Sequence, residues 1–361
     1  MGPPMLLRLN KKGHPIVNFA SDNVTGASDE ILEALMKANA GHTMPYGNDD
    51  LTASVDRQLS ELFETDLSVF LVATGSAANS LALSVMTPSY GAVLCHWTSH
   101  IFEDECGAPE FFTGGARMVP VDGSNGKLDL DDLATKATRG PGDIHMLQPS
   151  AVSITQVTEI GSLYTVSEIA AVADICRSNK LKLHMDGARF ANAVVALGCT
   201  PAEMTWRVGV DVLSFGATKN GALGAEAVIF FDKGLAETFE FRRKRGGHLF
   251  SKMRLLSAQM DAYLSNELWR VNAEHANAMA ARMRDGIASL RSFEFPYTDG
   301  ANMLFPKLPM TLHQALNDEG FIFYGGRWEE GVARLVTAFN TDANHVDSFI
   351  DAAARLELIA A

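Results

Sequence analysis

Residues 181–190, LKLHMDGARF, carry an apolar run that ends on Asp186 and is followed by Gly187, Ala188 and Arg189. An apolar run without strict alternation is the pattern of a strand covered on both faces. In an open α/β sheet, ligands bind beyond the carboxyl ends of the strands. Asp186 sits at such an end. It either caps the helix that follows or aims a carboxylate at a ligand cation, and the spacing leaves both readings open. His184 lies two residues earlier and so faces the same way on a strand. The two form a possible metal pair, but no third ligand is evident, and His184 reads as a packed strand residue; no metal is expected.

Working outward, further short apolar runs occupy 69–73, 92–95, 144–147, 152–155, 212–215 and 227–231. Helical patterns separate them. Thr165 with Glu168 makes a capping box ahead of Ile169, Val172, Ala173 and Cys176. Alternating runs of this kind predict an α/β fold around a mostly parallel sheet. After about 258 the pattern changes. A long Ala- and Met-rich helical region reaches about 291. A strand at 302–305 follows, then a helix capped by Thr311 and Gln314 with Gly320 past its end. Strands at 321–324 and 332–337 and a last helix from near Asn344 complete the chain. The expected division is an N-terminal segment and large domain over 1–258 and a small C-terminal α+β domain over 259–361.

Bulk properties narrow the function. The 361 residues are 47% hydrophobic and 20% charged, enough for a substantial core. Thirty basic against 43 acidic residues leave a net charge of −13. A nucleic-acid partner would want a basic face, and only 242–245 (Arg-Arg-Lys-Arg) gathers basic residues densely. The four cysteines form no C-x-x-C pair and read as reduced thiols, consistent with a cytoplasmic setting. Residues 1–19 lack the apolar run of a secretory leader, and no stretch approaches a membrane span.

Two further segments carry chemistry. In residues 73–83, ATGSAANSLAL, a strand reaches Gly75 and a helix opens at Ser76. Free N–H groups at a helix start suit a phosphate, although most such turns are only caps. In residues 214–228, SFGATKNGALGAEAV, Lys219 stands among small residues. A partly desolvated lysine is a nucleophile; an isolated one more often reaches solvent. A phosphate cradle, a strand-end Asp and a loop Lys, in that order on one sheet, are what pyridoxal phosphate needs.

The sequence resembles the L-threonine aldolase family, in its low-specificity branch that also handles β-phenylserine. The resemblance is carried by NFASDNVTG, YGNDD, GSAANSLAL, SHIFEDECGAPEFF, DIHMLQP, HMDGARFANA, FGATKNG, SKMRLLSAQ and ARLVTAFN, spread from about 18 to about 340. It implies the pyridoxal phosphate-dependent transferase-like fold (fold type I). Lys219 would carry the cofactor as a Schiff base, Asp186 would partner the pyridine nitrogen and His100 would stack on the ring. Gly75, Ser76 and Ala77 would hold the phosphate. Ser21, Arg189 and Arg334 would bind the substrate carboxylate, Arg189 close to the cofactor as well. His145 would lie near the substrate hydroxyl, and His100 and His145 are both candidates for the base. Arg243 or Arg245 would reach a neighbouring subunit's phosphate, with Tyr46 and Asp49 completing that neighbour's site.

The implied reaction is reversible cleavage of L-threonine, L-allo-threonine and related L-β-hydroxy-α-amino acids to glycine and an aldehyde. The implied assembly is a homo-oligomer, a tetramer built from dimers. Another fold type I enzyme, a β-eliminating lyase or an aminotransferase, is the alternative, and a non-catalytic descendant is a third reading. Two departures stand out. Residues 156–159 read Gln-Val-Thr-Glu where many relatives have Glu-Asn-Thr-His, so Glu159 replaces a histidine. The segment RGGHLFSKMR, 245–254, is also longer than the family's glycine run.

Overall fold

The computed structural model describes residues 9, 13 and 16–360; the rest of the N-terminal segment read above lies outside the described residues. The described residues form twelve strands: β1 (Val17–Asn18), β2 (Ser68–Val72), β3 (Gly91–His96), β4 (Arg117–Val121), β5 (Gln148–Thr155), β6 (Lys182–Gly187), β7 (Val212–Gly216), β8 (Glu226–Phe230), β9 (Met303–Leu304), β10 (Phe321–Ile322), β11 (Tyr324–Gly325) and β12 (Ala333–Val336). Seven form the central sheet in the order β2-β8-β7-β6-β5-β3-β4. Its pairings are parallel except that β8 runs against both neighbours, β7 and β2. The expected α/β class and mostly parallel sheet are therefore present. Strands β3, β7 and β8 are buried along their whole length, which explains their unbroken apolar sequences.

The helix Val166–Ser178 starts on the predicted capping box, with Thr165 and Glu168 each accepting the other's backbone N–H. One strand expectation fails and one edge strand went unpredicted. Residues 144–147 are a turn, with Ile144 93% exposed. Gln148 holds that turn closed: its Nε2 donates to the carbonyls of Gly140, Asp143 and Met146, and its Oε1 accepts from Gly142 N. One long strand then runs to Thr155. Strand β4 escaped notice because Pro120 interrupts its apolar pattern, which a sheet edge tolerates. The helix Met310–Asp318 begins behind Pro309 without a side-chain cap, so Thr311 does not cap it.

A three-stranded sheet, β11-β12-β9, lies in the C-terminal part. The buried apolar residues described fall into three clusters, and the limits of the first two differ from the 258/259 division. Val17 and Phe19 pack with Leu316, Phe321 and Phe349, and β1 pairs with β10. The helix Leu268–Ile287 serves two of these clusters, with Trp269 and Ala273 in one and Met283 and Ile287 in the other. Among the described residues no helix is long and apolar enough to cross a membrane.

Candidate active site

The carboxyl ends of β2, β3, β5, β6 and β7 and the start of β8 share one edge of the sheet, as their registers require. Two adjoining cavities open there, of about 330 and 720 Å³, and Asn23, His100, Glu159 and Lys219 line both. Sites for small ligands commonly measure ~300–1,000 Å³.

The smaller cavity begins at the helix Gly75–Met86, and Thr74, Gly75 and Ser76 line it. A Cβ built on Gly75 would meet nothing within 4 Å, so open space faces the first helical turn. Ala77 does not belong with them, because its N–H is donated to the Thr74 hydroxyl at 3.2 Å. Thr74 thus caps the helix and leaves the amides of Gly75 and Ser76 to a ligand.

Asp186 lies deeper in the same cavity, buried at the end of β6. Its Oδ1 accepts from Ala188 N at 3.0 Å and its Oδ2 from Asn79 Nδ2 at 2.9 Å. It closes the turn at Ala188 and faces the cavity, but it does not cap the following helix, whose N-cap position is Arg189 without a side-chain cap. His184 is spent on two hydroxyls, Ser153 at 2.9 Å and Ser214 at 3.0 Å, and burial lowers its pKa to about 4. His100 Nδ1 lies 2.9 Å from Glu105 Oε1, and that contact raises the imidazole's pKa against the pull of burial.

Lys219 follows β7 on a short turn of 3-10 helix, Thr218–Asn220. Gly221 ends the turn at φ +113°, and a Cβ there would meet Ser28 Oγ at 2.4 Å and Asn272 Nδ2 at 2.6 Å. Only glycine fits. Glu226 supports the turn from below: its Oε2 accepts from Ala217 N at 2.9 Å, and the Thr218 hydroxyl bonds the same side chain. Burial pushes this carboxyl up to about 7.

Ser21, Arg189 and Arg334 line the larger cavity. Arg189 is buried and committed to Asp22, with Nε to Oδ2 at 2.7 Å and Nη2 to Oδ1 at 2.8 Å. Burial opposes the Arg189 charge, and the Asp22 carboxylate more than offsets it. Arg334 differs. Its Nε is buried without a partner, its Nη2 touches only Met303 Sδ at 3.7 Å, and burial lowers its pKa. Trp97, Tyr297 and Trp328 add an aromatic wall, and Arg327 joins Asp104 across the mouth at 2.6 and 2.8 Å.

Two expected residues stand apart. His145 is exposed in the turn before β5, at the opposite end of that strand from Thr155, so within this chain it does not meet the substrate side. Arg243 is buried, stacks 5.3 Å from the Phe70 ring centroid and donates to Leu71 O at 3.3 Å. Within this chain it is turned inward, whereas Arg245 is exposed. Asp49 caps the helix Asp50–Leu62 through Thr52 N, and Lys244 sits 4.9 Å over the Tyr46 ring. Sequence reading missed Asp22, Asn79, Glu105 and Glu226. Asp22 adjoins Ser21 and Glu105 follows His100 by five, yet only folding pairs them with Arg189 and His100.

Residues 18–307 match the model of the beta-eliminating lyase family. A low-specificity L-threonine aldolase of Pseudomonas sp. (strain NCIMB 10558) is 43% identical over 328 residues, covering 91% of this chain and 94% of that one. The chain belongs to the L-threonine aldolase family. Another low-specificity L-threonine aldolase, of Pseudomonas aeruginosa, is 42% identical over 331 residues, covering 91% of this chain and 94% of that one. The Leishmania major threonine aldolase superposes with a TM-score of 0.89 at 28% identity, covering 95% of this chain and all of that one. Fold type I is therefore established for this chain.

The threonine aldolase family's cofactor is pyridoxal 5′-phosphate, and the residues present fit it. The open first turn at Gly75 and Ser76 suits the phosphate, the Asp186 carboxylate a protonated ring nitrogen and Lys219 an aldehyde.

Proposed function

We propose that the protein cleaves L-threonine, L-allo-threonine and related L-β-hydroxy-α-amino acids, phenylserine included, to glycine and an aldehyde, reversibly. The observation that carries this reading is the sharing of Lys219 and His100 between a cavity fitted for the cofactor and one walled by Ser21, Arg189 and Arg334. Bound pyridoxal phosphate supplies an electron sink for a bond at the substrate's α-carbon. Lys219 supplies the amine that anchors it, and Asp186 favours the protonated ring nitrogen. Arg334, with Arg189 and Ser21, holds the substrate carboxylate, because a guanidinium fork matches its two oxygens and stays charged. That grip decides which α-carbon bond is presented for cleavage. His100 takes the proton of the β-hydroxyl as the Cα–Cβ bond breaks. Its position in both cavities supports it over His145.

The site is read as part of a homo-oligomer, a dimer or a tetramer with shared active sites, in the cytoplasm. Exposed Met44, Tyr46, Phe241 and Phe250 support the first, four free cysteines the second. Incubation of the loaded protein with L-threonine tests the function. Glycine with acetaldehyde is expected, and Lys219→Ala should abolish both. Ammonia with a keto acid as the products would overturn the reading in favour of a β-eliminating enzyme.

A further inference from the structure

One chain of buried contacts is left unused by the proposed reaction. Asn79, on the helix Gly75–Met86, donates through Nδ2 to Asp186 Oδ2 and to Glu105 Oε1, both at 2.9 Å. The same Glu105 oxygen lies 2.9 Å from His100 Nδ1, and the Ser80 hydroxyl reaches Oε2 at 3.5 Å. Asn79, Glu105 and Asp186 are 2%, 5% and 4% exposed. A carboxylate so deeply placed is costly unless hydrogen-bonded and paired. Among the described residues, His100 is the one cationic partner within ion-pair distance of Glu105.

We propose that Glu105 is a positioning residue for His100: it accepts the Nδ1 proton, leaves the lone pair on Nε2 for the cavity and is itself held by Asn79, which ties the pair to Asp186. The inference rests on the reading of His100 as the proton acceptor. The geometry is that of an imidazole oriented by a carboxylate, where the bond at one nitrogen fixes what the other can do. A base so oriented needs no reorientation before it reacts. Asn79 also sets a distance, because one amide group spans the two carboxylates.

Several charged groups face His100 besides Glu105. Asp186 comes from β6 and Glu159 from the loop after β5, and both favour the imidazolium. Lys219, Arg189, Glu103 and Asp104 line the same cavity. Burial works against the charge, and the Glu105 bond outweighs it.

Cofactor-free protein labelled with ¹⁵N-histidine tests the proposal, with His100→Asn identifying the His100 signals. Above its titration, wild-type His100 should be the Nδ1–H tautomer; an Nε2–H tautomer would overturn the proposal without any variant of Glu105. Glu105→Gln should lower the His100 titration midpoint by about one pH unit, and Glu105→Asp should restore part of the shift. An unmoved midpoint in folded Glu105→Gln would also overturn it. In the loaded enzyme, Glu105→Gln should lower kcat and move the acid limb of kcat/KM to lower pH, which a purely structural role would not do. Full kcat in His100→Asn would defeat the base assignment alone, since the tautomer and midpoint are read independently of turnover.

Discussion

Asp22 and Arg189 meet in a two-point ion pair at 2.7 and 2.8 Å, with side chains 1% and 3% exposed. Asn302 Nδ2 adds a third contact to Asp22 at 3.1 Å. Arg189 is thereby held in one direction through Nε and Nη2. Removing one member of a buried pair strands the other, at a cost of about 3–5 kcal/mol. Asp22→Ala should lower the Tm markedly in thermal denaturation of the cofactor-free protein. It should also raise KM for the amino acid, because Arg189 loses its fixed direction. An unchanged Tm would show that the pair is replaced by water.

Arg334 predicts the opposite balance. Its guanidinium is partly buried and, among the described residues, has no carboxylate within ion-pair distance, with Asp22 and Glu159 helping it only from farther off, so the substrate-free protein should carry a cost that a substrate relieves. Arg334→Leu should leave the substrate-free Tm equal to or above that of the wild type. The same variant should lose roughly 10–100-fold in kcat/KM, the worth of charge-assisted hydrogen bonds to one carboxylate. Affinity that survives the substitution would remove Arg334 from the carboxylate site.

Two opposed titrations should leave the stability of the cofactor-free protein nearly level through mildly acidic pH. Glu226 has its folded pKa raised to about 7 by burial, above the ordinary 4.5. Its contribution is full below 4.5 and is lost as pH rises through 7. His184 has its folded pKa lowered to about 4 from 6.5, again by burial. A neutral buried histidine supports folding fully above 6.5 and loses that support as pH falls toward 4. Each window is worth ~3 kcal/mol. Between pH 4.5 and 6.5 the two slopes oppose each other, so Tm measured from pH 4 to 8 should rise with pH over that range in Glu226→Gln and fall over it in a folded His184→Gln.

Gly187 is expected to resist even one added methyl group. A Cβ there would meet Leu213 Cδ1 at 2.7 Å and the Ser214 carbonyl at 2.8 Å. The second contact is backbone of the paired strand and cannot swing aside. Gly187→Ala should cost about 1–3 kcal/mol in chemical denaturation and should disturb Asp186, its neighbour. Gly75→Ala, which meets open space, should leave stability nearly unchanged while weakening cofactor binding.

Much of this architecture was legible because continuous apolar runs separate cleanly from capped helices. The Thr165–Glu168 box and the run ending on Asp186 are local signals, and both were found in place. Misreadings came where tertiary context decides. Residues 144–147 are apolar enough for a strand, yet Gln148 folds them into a turn. Pro120 hid an edge strand. In the site, Lys219 and Asp186 were readable from small neighbours and a strand end. Asp22 was not, since a partner 167 residues away leaves no periodic trace, and Glu105, five residues from His100, was not because a spacing of five does not by itself bring two side chains together. His145 has the chemistry of a base but emerges at the wrong end of β5.

The order of strands has a consequence for how the protein is made. Strand β2 leads directly into the helix that opens on Gly75, and in the sheet it has one neighbour, β8. That neighbour leaves the ribosome roughly 150 residues later, a delay of roughly 10–30 seconds at ordinary elongation rates. Until then β2 is an unpaired apolar edge, a form prone to stick to other chains. The cavity wall at Gly75 and Ser76 is therefore synthesised early but completed late, and nascent chains interrupted between these strands should be the species that most needs chaperone protection.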